Sequence, residues 1–289
     1  TASETLALLA GVTDADNAIT VEISDAAGAN TGTTALNVNA DALVDTLVVT
    51  LIGNDGDNVL VGNATADTIN GGAGADTITG GAGADTITGD AGADVFLIAA
   101  AADHATGETI AGGANADTIR FTSTTASETL TLLAGVTDSD NAITVEISDA
   151  AGANTGTTAL NVNADALVNT LAVTLIGNDG DNVLVGNATA DTITGGAGAD
   201  TITGGGGADT FVFNSTTGID IIADFSTAAD VMNFARTTFA LESADADLAD
   251  ANERVTIATA AGTDNNGAKN TANDLIIMTH TTGHTLASL

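Results

Sequence analysis

From Gly53 the chain falls into consecutive units of nine residues, and no other feature limits its fold so tightly. The run reads GNDGDNVLV, GNATADTIN, GGAGADTIT, GGAGADTIT and GDAGADVFL, ending at Leu97. A second run from Gly177 reads GNDGDNVLV, GNATADTIT, GGAGADTIT and GGGGADTFV, ending at Val212. A single copy, GGANADTIR, occupies 112–120. Each unit follows G-G-x-G-x-D-x-U-x, where U is a large apolar residue. A short fixed period of this kind belongs to a solenoid, in which each unit buries its apolar residue only by stacking on its neighbours.

The residue types say how one unit folds. Gly at the first, second and fourth positions permits φ > 0 and close backbone approach, so the first six residues make a tight turn. The next three, such as Thr77-Ile78-Thr79, make a short strand with an inward Ile between two β-branched neighbours. Leu60, Ile69, Ile78, Ile87 and Phe96 step by nine. Two units then complete one coil, so alternate units stack on the same side. Stacking places Asp67 over Asp85 and Asp76 over Asp94, and carboxylates crowded at strand spacing repel one another. A hard dication taking carboxylate and carbonyl oxygens at about 2.3–2.6 Å relieves that repulsion. A flexible Gly/Ala/Asp linker has no use for an apolar residue at this spacing.

A longer repeat encloses the short one. Residues Thr1–Thr86 recur as Thr125–Thr210 with six differences: Ala7/Thr131, Ala15/Ser139, Asp45/Asn169, Val48/Ala172, Asn70/Thr194 and Ala82/Gly206. Loop positions match as closely as apolar ones, which points to recent duplication. Because Thr1 corresponds to mid-chain Thr125, the expectation is the carboxy-terminal piece of a longer repetitive protein.

Composition narrows the partners. The net charge is −34, from 38 acidic against 4 basic residues, so nucleic acid and anionic membranes are excluded in favour of cations. No Cys is present to make disulfides or thiolate zinc sites. The longest apolar run, Val95–Ala102, falls short of the roughly 20 residues that span a membrane.

The nonapeptides resemble the RTX, or haemolysin-type, calcium-binding family, and the resemblance covers 53–97, 112–120 and 177–212. It implies an all-β chain: a parallel β-roll or β-solenoid of two tandem modules with a C-terminal β cap, holding several Ca2+ ions between alternate turns. Matched to this sequence, the ligand side chains are Asp67, Asp76, Asp85, Asp94, Asp117, Asp191, Asp200 and Asp209. Asn58 and Asn182 stand where the motif has Asp, and supply an oxygen without a charge. Backbone oxygens of Gly71, Gly74, Gly80, Gly83, Gly89, Gly195, Gly198 and Gly204 complete the shells. Thr65, Thr189 and Asn115 replace the fourth-position Gly and put the local turn in question.

Alternating Ile19, Val21 and Ile23, then Leu36 and Val38, then Leu47, Val49 and Leu51, mark strands outside the nonapeptides. About fifty residues are too few for an immunoglobulin-like sandwich. Residues 1–52 and their copy 125–176 are therefore read as irregular solenoid coils, with a small separate β-domain as the alternative. The runs fill 53–97 and 177–212, and 98–124 is a connector whose 98–111 forms a loop or one helical turn. Residues 213–289 are a cap with a strand at Asp274–Met278, and in the family such a tail directs type I secretion.

No enzyme is expected. His280 and His284 lack the Glu of HExxH, no GxSxG elbow appears, and His104 shows no partner in the sequence. The Thr pairs Thr77/Thr79, Thr86/Thr88, Thr192/Thr194 and Thr201/Thr203 suggest flat hydroxyl ladders suited to ice or glycan, or simply solvent-facing strand residues. The reading that follows is a secreted, extracellular or bacterial cell-surface structural protein that self-assembles into a lattice, filament or adhesin. The alternative is the folding and secretion module of a hydrolase or toxin.

Overall fold

The computed structural model describes residues 4–235 except 13, 25–28, 44–46, 168, 169 and 227, together with the backbone of 276–279. His280 and His284 lie outside the described residues.

Through the first run the strands are β1 (Glu4–Ala7), β2 (Ala18–Glu22), β3 (Leu36–Asn39), β4 (Val48–Ile52), β5 (Val59–Val61), β6 (Thr68–Ala73), β7 (Thr77–Thr79), β8 (Thr86–Ala91) and β9 (Val95–Ile98). The connector holds a single 3-10 turn at Ala101–Asp103, then β10 (Thr109–Ala114) and β11 (Asp117–Phe121). The second copy supplies β12 (Thr129–Thr131), β13 (Val136–Thr137), β14 (Ala142–Ile147), β15 (Asn161–Asn163), β16 (Ala172–Ile176), β17 (Val183–Val185), β18 (Thr192–Thr194), β19 (Thr201–Thr203) and β20 (Thr210–Phe213). After it come β21 (Ile219–Ile222), β22 (Val231–Phe234) and β23 (Ile276–Thr279).

The chain winds as a β-solenoid. One face is an 11-stranded sheet of order β1-β3-β5-β7-β9-β11-β14-β16-β18-β20-β22. The strands between them form two six-stranded sheets, β13-β10-β8-β6-β4-β2 and β12-β15-β17-β19-β21-β23. Pairing is parallel throughout except between β21 and β23. Parallel neighbours need a crossover of a dozen or more residues. Here two six-residue turns and the three-residue strand on the other face provide it, which is why the partner of each strand lies two units away. Strands β1–β4, outside the nonapeptides, join the same sheets.

The register turns the ninth-residue periodicity into continuous apolar columns. Val38, Leu60, Ile78, Phe96, Ile119, Val145, Leu175, Ile193 and Phe211 follow one another up the long sheet. Leu51, Ile69, Ile87, Ile110 and Val136 line the sheet opposite. All are buried. Phe213 stacks on Phe234 at 5.0 Å near the end of the column.

Two findings were not visible in the repeat alone. Each strand of the first copy has its counterpart in the opposite face: β1, β3, β5 and β7 belong to the long sheet, whereas β12, β15, β17 and β19 do not. The unit of duplication therefore contains an odd number of half-coils, the eleven from β1 to β11. The expected threonine pairs do not form uniform ladders either, since Thr77 sits between Val59 and Val95. The unbroken columns are Thr20-Thr50-Thr68-Thr86-Thr109 on one face and Thr118-Thr144-Thr174-Thr192-Thr210 on the other.

Candidate metal sites in the stacked turns

The acids that close the turns are placed by the backbone of the coil below. One carboxylate oxygen of each accepts the N–H of the residue one coil earlier: Asp76 from Asn58 at 2.7 Å, Asp85 from Asp67, Asp94 from Asp76 and Asp200 from Asn182, each at 2.8 Å. Asp117 takes the N–H of Asp94 and Asp209 that of Asp191 in the same way. The stacked carboxylates are thus held in register by alternating amides.

The second oxygen separates the acids into two groups. Oδ2 of Asp76, Asp85, Asp94, Asp117 and Asp200 is buried and has no hydrogen-bond partner. Asp67 and Asp191 differ, because their second oxygen accepts the N–H of Asn63 or Asn187 at 2.8 and 2.7 Å. In the same two turns Asn63 and Asn187 donate to the carbonyls of Leu47 and Leu171, and the hydroxyls of Thr65 and Thr189 donate to those carbonyls too. Asn58 and Asn182 are likewise satisfied: each accepts a local N–H and donates to the carbonyl of Leu36 or Leu160. The opening turns of each run are sealed by their own amides and hydroxyls, and those of Asp76, Asp85, Asp94, Asp117 and Asp200 are left open.

The glycines surround these oxygens for two distinct reasons. Gly74, at the fourth position, has φ 109°, which L side chains rarely adopt. Asn115 takes φ 83° and keeps that turn, whereas Thr65 and Thr189 do not take positive φ and build the sealed turn instead. First-position glycines are needed for space. A side chain on Gly89 would run into Asp94 Oδ2 and the carbonyl oxygen of Gly112, one coil on. Gly62 is packed in the same manner against Asp67 and Gly80, and Gly71 against Asp76 and Gly89.

Burial governs the acidity of the group. Desolvation pushes Asp76, Asp85 and Asp200 up to about 7, against the partial opposition of their amide bonds. Neighbouring carboxylates add to it: Asp94 for Asp76, Glu108 for Asp85 and Asp220 for Asp200. Asp209 rises to about 6 and Asp67, Asp94, Asp117 and Asp191 also rise, all chiefly through burial. An anionic oxygen without a donor in such a place is costly. Oxygen from one carboxylate, with carbonyls of the adjoining coil beside it, suits a hard dication such as calcium. Among the described residues no three His, Asp or Glu side chains gather on one point, so backbone oxygens would carry much of any shell.

A family model of the RTX calcium-binding nonapeptide repeat, four copies long, matches residues 50–78, 61–96 and 176–211. These stretches are RTX calcium-binding repeats. No curated protein and no solved structure matches the chain. The single RTX-like copy at 112–120 lies outside the matched residues.

Sequence reasoning missed several acids that continue the RTX stack. Asp220 and Asp230 accept the N–H of Asp200 and Asp209, each at 3.1 Å, and Asp224 accepts from Gly204 and Gly205. They lie 20 or 21 residues on rather than 18, so the nonapeptide rule passes over them. His104, without a visible partner in the sequence, is buried, accepts the N–H of Leu133 at 3.2 Å and lies 3.1 Å from Glu108. Among the described residues no helix is long and apolar enough to cross a membrane.

Proposed function

We propose that this chain is a secreted structural component of a bacterial cell surface, an S-layer, filament or adhesin subunit, whose RTX roll is completed by extracellular calcium. The supporting observation is the row of buried, unpartnered carboxylate oxygens at Asp76, Asp85, Asp94, Asp117 and Asp200, set within two near-identical modules that share one continuous sheet. Calcium supplies positive charge to these oxygens. The chain's own residues supply the register, through the amide bonded to each carboxylate, and the space, through the glycines beside it. In this reading the chain acts as a scaffold rather than a catalyst, and solenoid ends and faces meet other copies of it.

The proposed mechanism is linkage. At the submicromolar calcium of a cytoplasm, a chain of net charge −34 stays expanded and exportable. Outside, calcium exceeds the roughly 10⁻⁴–10⁻³ M dissociation constants of extracellular sites. Binding free energy then becomes folding free energy. Far-UV circular dichroism and small-angle scattering across a calcium titration test the linkage, and electron microscopy of the same samples tests assembly. The expected result is loss of β signal and expansion in excess chelator, with ordered arrays or filaments only in calcium. A compact fold retained in chelator sinks the linkage, and a monodisperse monomer at saturating calcium sinks the assembly.

A further inference from the structure

Outside the RTX-matched stretches, the coil that joins the connector to the second copy carries a second kind of acidic pair. Strand β13 stacks on β10 with Ile110 opposite Val136 and Ala111 opposite Thr137. The next step of that register brings Asp138 over Gly112. A side chain on Gly112 would begin within 2.6 Å of both Asp117 Oδ2 and Asp138 Oδ2. The two oxygens are therefore no more than about 5 Å apart, a gap that one calcium ion with bonds of about 2.3–2.6 Å spans.

Both oxygens are buried and accept no N–H or O–H from any other residue, so only a proton or an ion shared between the two carboxyls satisfies them, and Asp117 as a whole is 1% exposed. At Asp94, Asp67 and Asp191 the group that faces the turn's own acid is a glycine carbonyl from the next coil: Gly112 beside Asp94, Gly80 beside Asp67 and Gly204 beside Asp191. Here a carboxylate from an irregular coil takes that place. Its turn is pinned from three sides. Asp138 Oδ1 accepts the N–H of Asp140 at 2.7 Å, Asp140 accepts the N–H of Asn115, and Ser139 bonds the carbonyl of Gly113 through both its N–H and its hydroxyl.

The first copy provides an internal contrast. Asp14 is the counterpart of Asp138 and makes the same local turn, accepting the N–H of Asp16 at 2.9 Å, yet it is exposed. Ser139 is one of the six differences between the copies and stands where the first has Ala15. The turn alone does not make the pair; the underlying Gly112 and Asp117 do.

We propose that Asp117 and Asp138 form a calcium site of their own, which fastens the connector to the second copy. It rests on the reading of the RTX runs as calcium-loaded, and it differs from them in drawing its second carboxylate from an irregular coil rather than from a nonapeptide. Its position across β10, β11 and β13 makes it a clasp between modules rather than a rung within one.

Hydrogen exchange read by mass spectrometry, with and without calcium, tests it alongside calcium stoichiometry by equilibrium dialysis. In the unaltered chain, calcium is expected to slow exchange at 109–141 as well as in both runs. Asp138→Asn should bind one ion fewer and lose the calcium-dependent protection at 109–141 while both runs keep theirs. Asp14→Asn should change neither quantity. Full stoichiometry and full protection in Asp138→Asn overturn the clasp, as does an unaltered chain whose 109–141 segment ignores calcium while the runs respond. Absence of a calcium response in the runs themselves overturns the broader reading, and the two failures are told apart by which peptides respond.

Discussion

Gly204 and Gly206 stand two residues apart in one turn and face opposite surroundings. A side chain at Gly204 would collide with Asp209 Oδ2 and come within 2.9 Å of Phe211 Cζ. At Gly206 nothing lies closer than 3.4 Å, and the first copy carries Ala82 at the same place. Gly204→Ala must therefore displace both the carboxylate and the Phe ring, whereas Gly206→Ala fits. The expected outcome is a calcium midpoint raised about tenfold for Gly204→Ala, equivalent to about 1.4 kcal/mol. For Gly206→Ala the stability change should stay within about 0.5 kcal/mol. Calcium titrations of the two variants, followed by circular dichroism, check the pair. Equal effects would remove the argument that first-position glycines serve the acid.

At the scale of the single turn, the molecule already contains the experiment of replacing the acid by its amide. Asn182 accepts the N–H of Asn178 and donates to Leu160 O at 2.7 Å, leaving neither atom idle. Asp200, one coil on, holds an unpartnered oxygen and is pushed up to about 7 by burial. Because that value lies above the ordinary 3.8, the calcium-free fold binds the proton more tightly than the unfolded chain. Asp200 therefore penalises the calcium-free fold increasingly as pH climbs from about 4, and fully once pH passes about 7. Asp200→Asn removes the charge and the penalty. In excess chelator its far-UV β signal should exceed that of the unaltered chain at pH 8, with no difference near pH 4. The gain in signal on adding calcium should shrink. Circular dichroism of both proteins at the two pH values, with and without calcium, provides the check.

These turns also show what the sequence could and could not reveal. The alternation of units and the ladder of acids were legible, because each ninth residue had one permitted direction and the coil had one permitted closure. The sealing of the Asn63 and Asn187 turns was not, since it depends on which carbonyl their amides reach. Asp138 and Asp220 were hidden for a related reason: irregular coils bring them into the stack, and their spacing carries no nonapeptide signature. His104 has one partner close in sequence, Glu108, and one, Leu133, that only the coil 29 residues on brings to it.

For the whole molecule, the consequential number is the odd count of half-coils in the duplicated unit. Had the unit held whole coils, each strand of the second copy would stack directly above its counterpart on one face. Instead β7 lies in the long sheet and its counterpart β19 in the sheet opposite, while β18 shares the face of β7. The two threonine columns follow suit and look outward in opposite directions. A rod built this way offers the same chemistry on both sides, displaced along its axis. Spin labels at Thr79 and Thr194, five strand spacings apart on one face, should sit about 24 Å apart along the sheet. Labels at the sequence-equivalent pair Thr79 and Thr203 must also cross the body of the solenoid and should therefore lie farther apart. Pulsed electron double resonance in saturating calcium measures both distances. The reverse order would mean that the copies repeat by whole coils, and a two-sided rod would no longer follow.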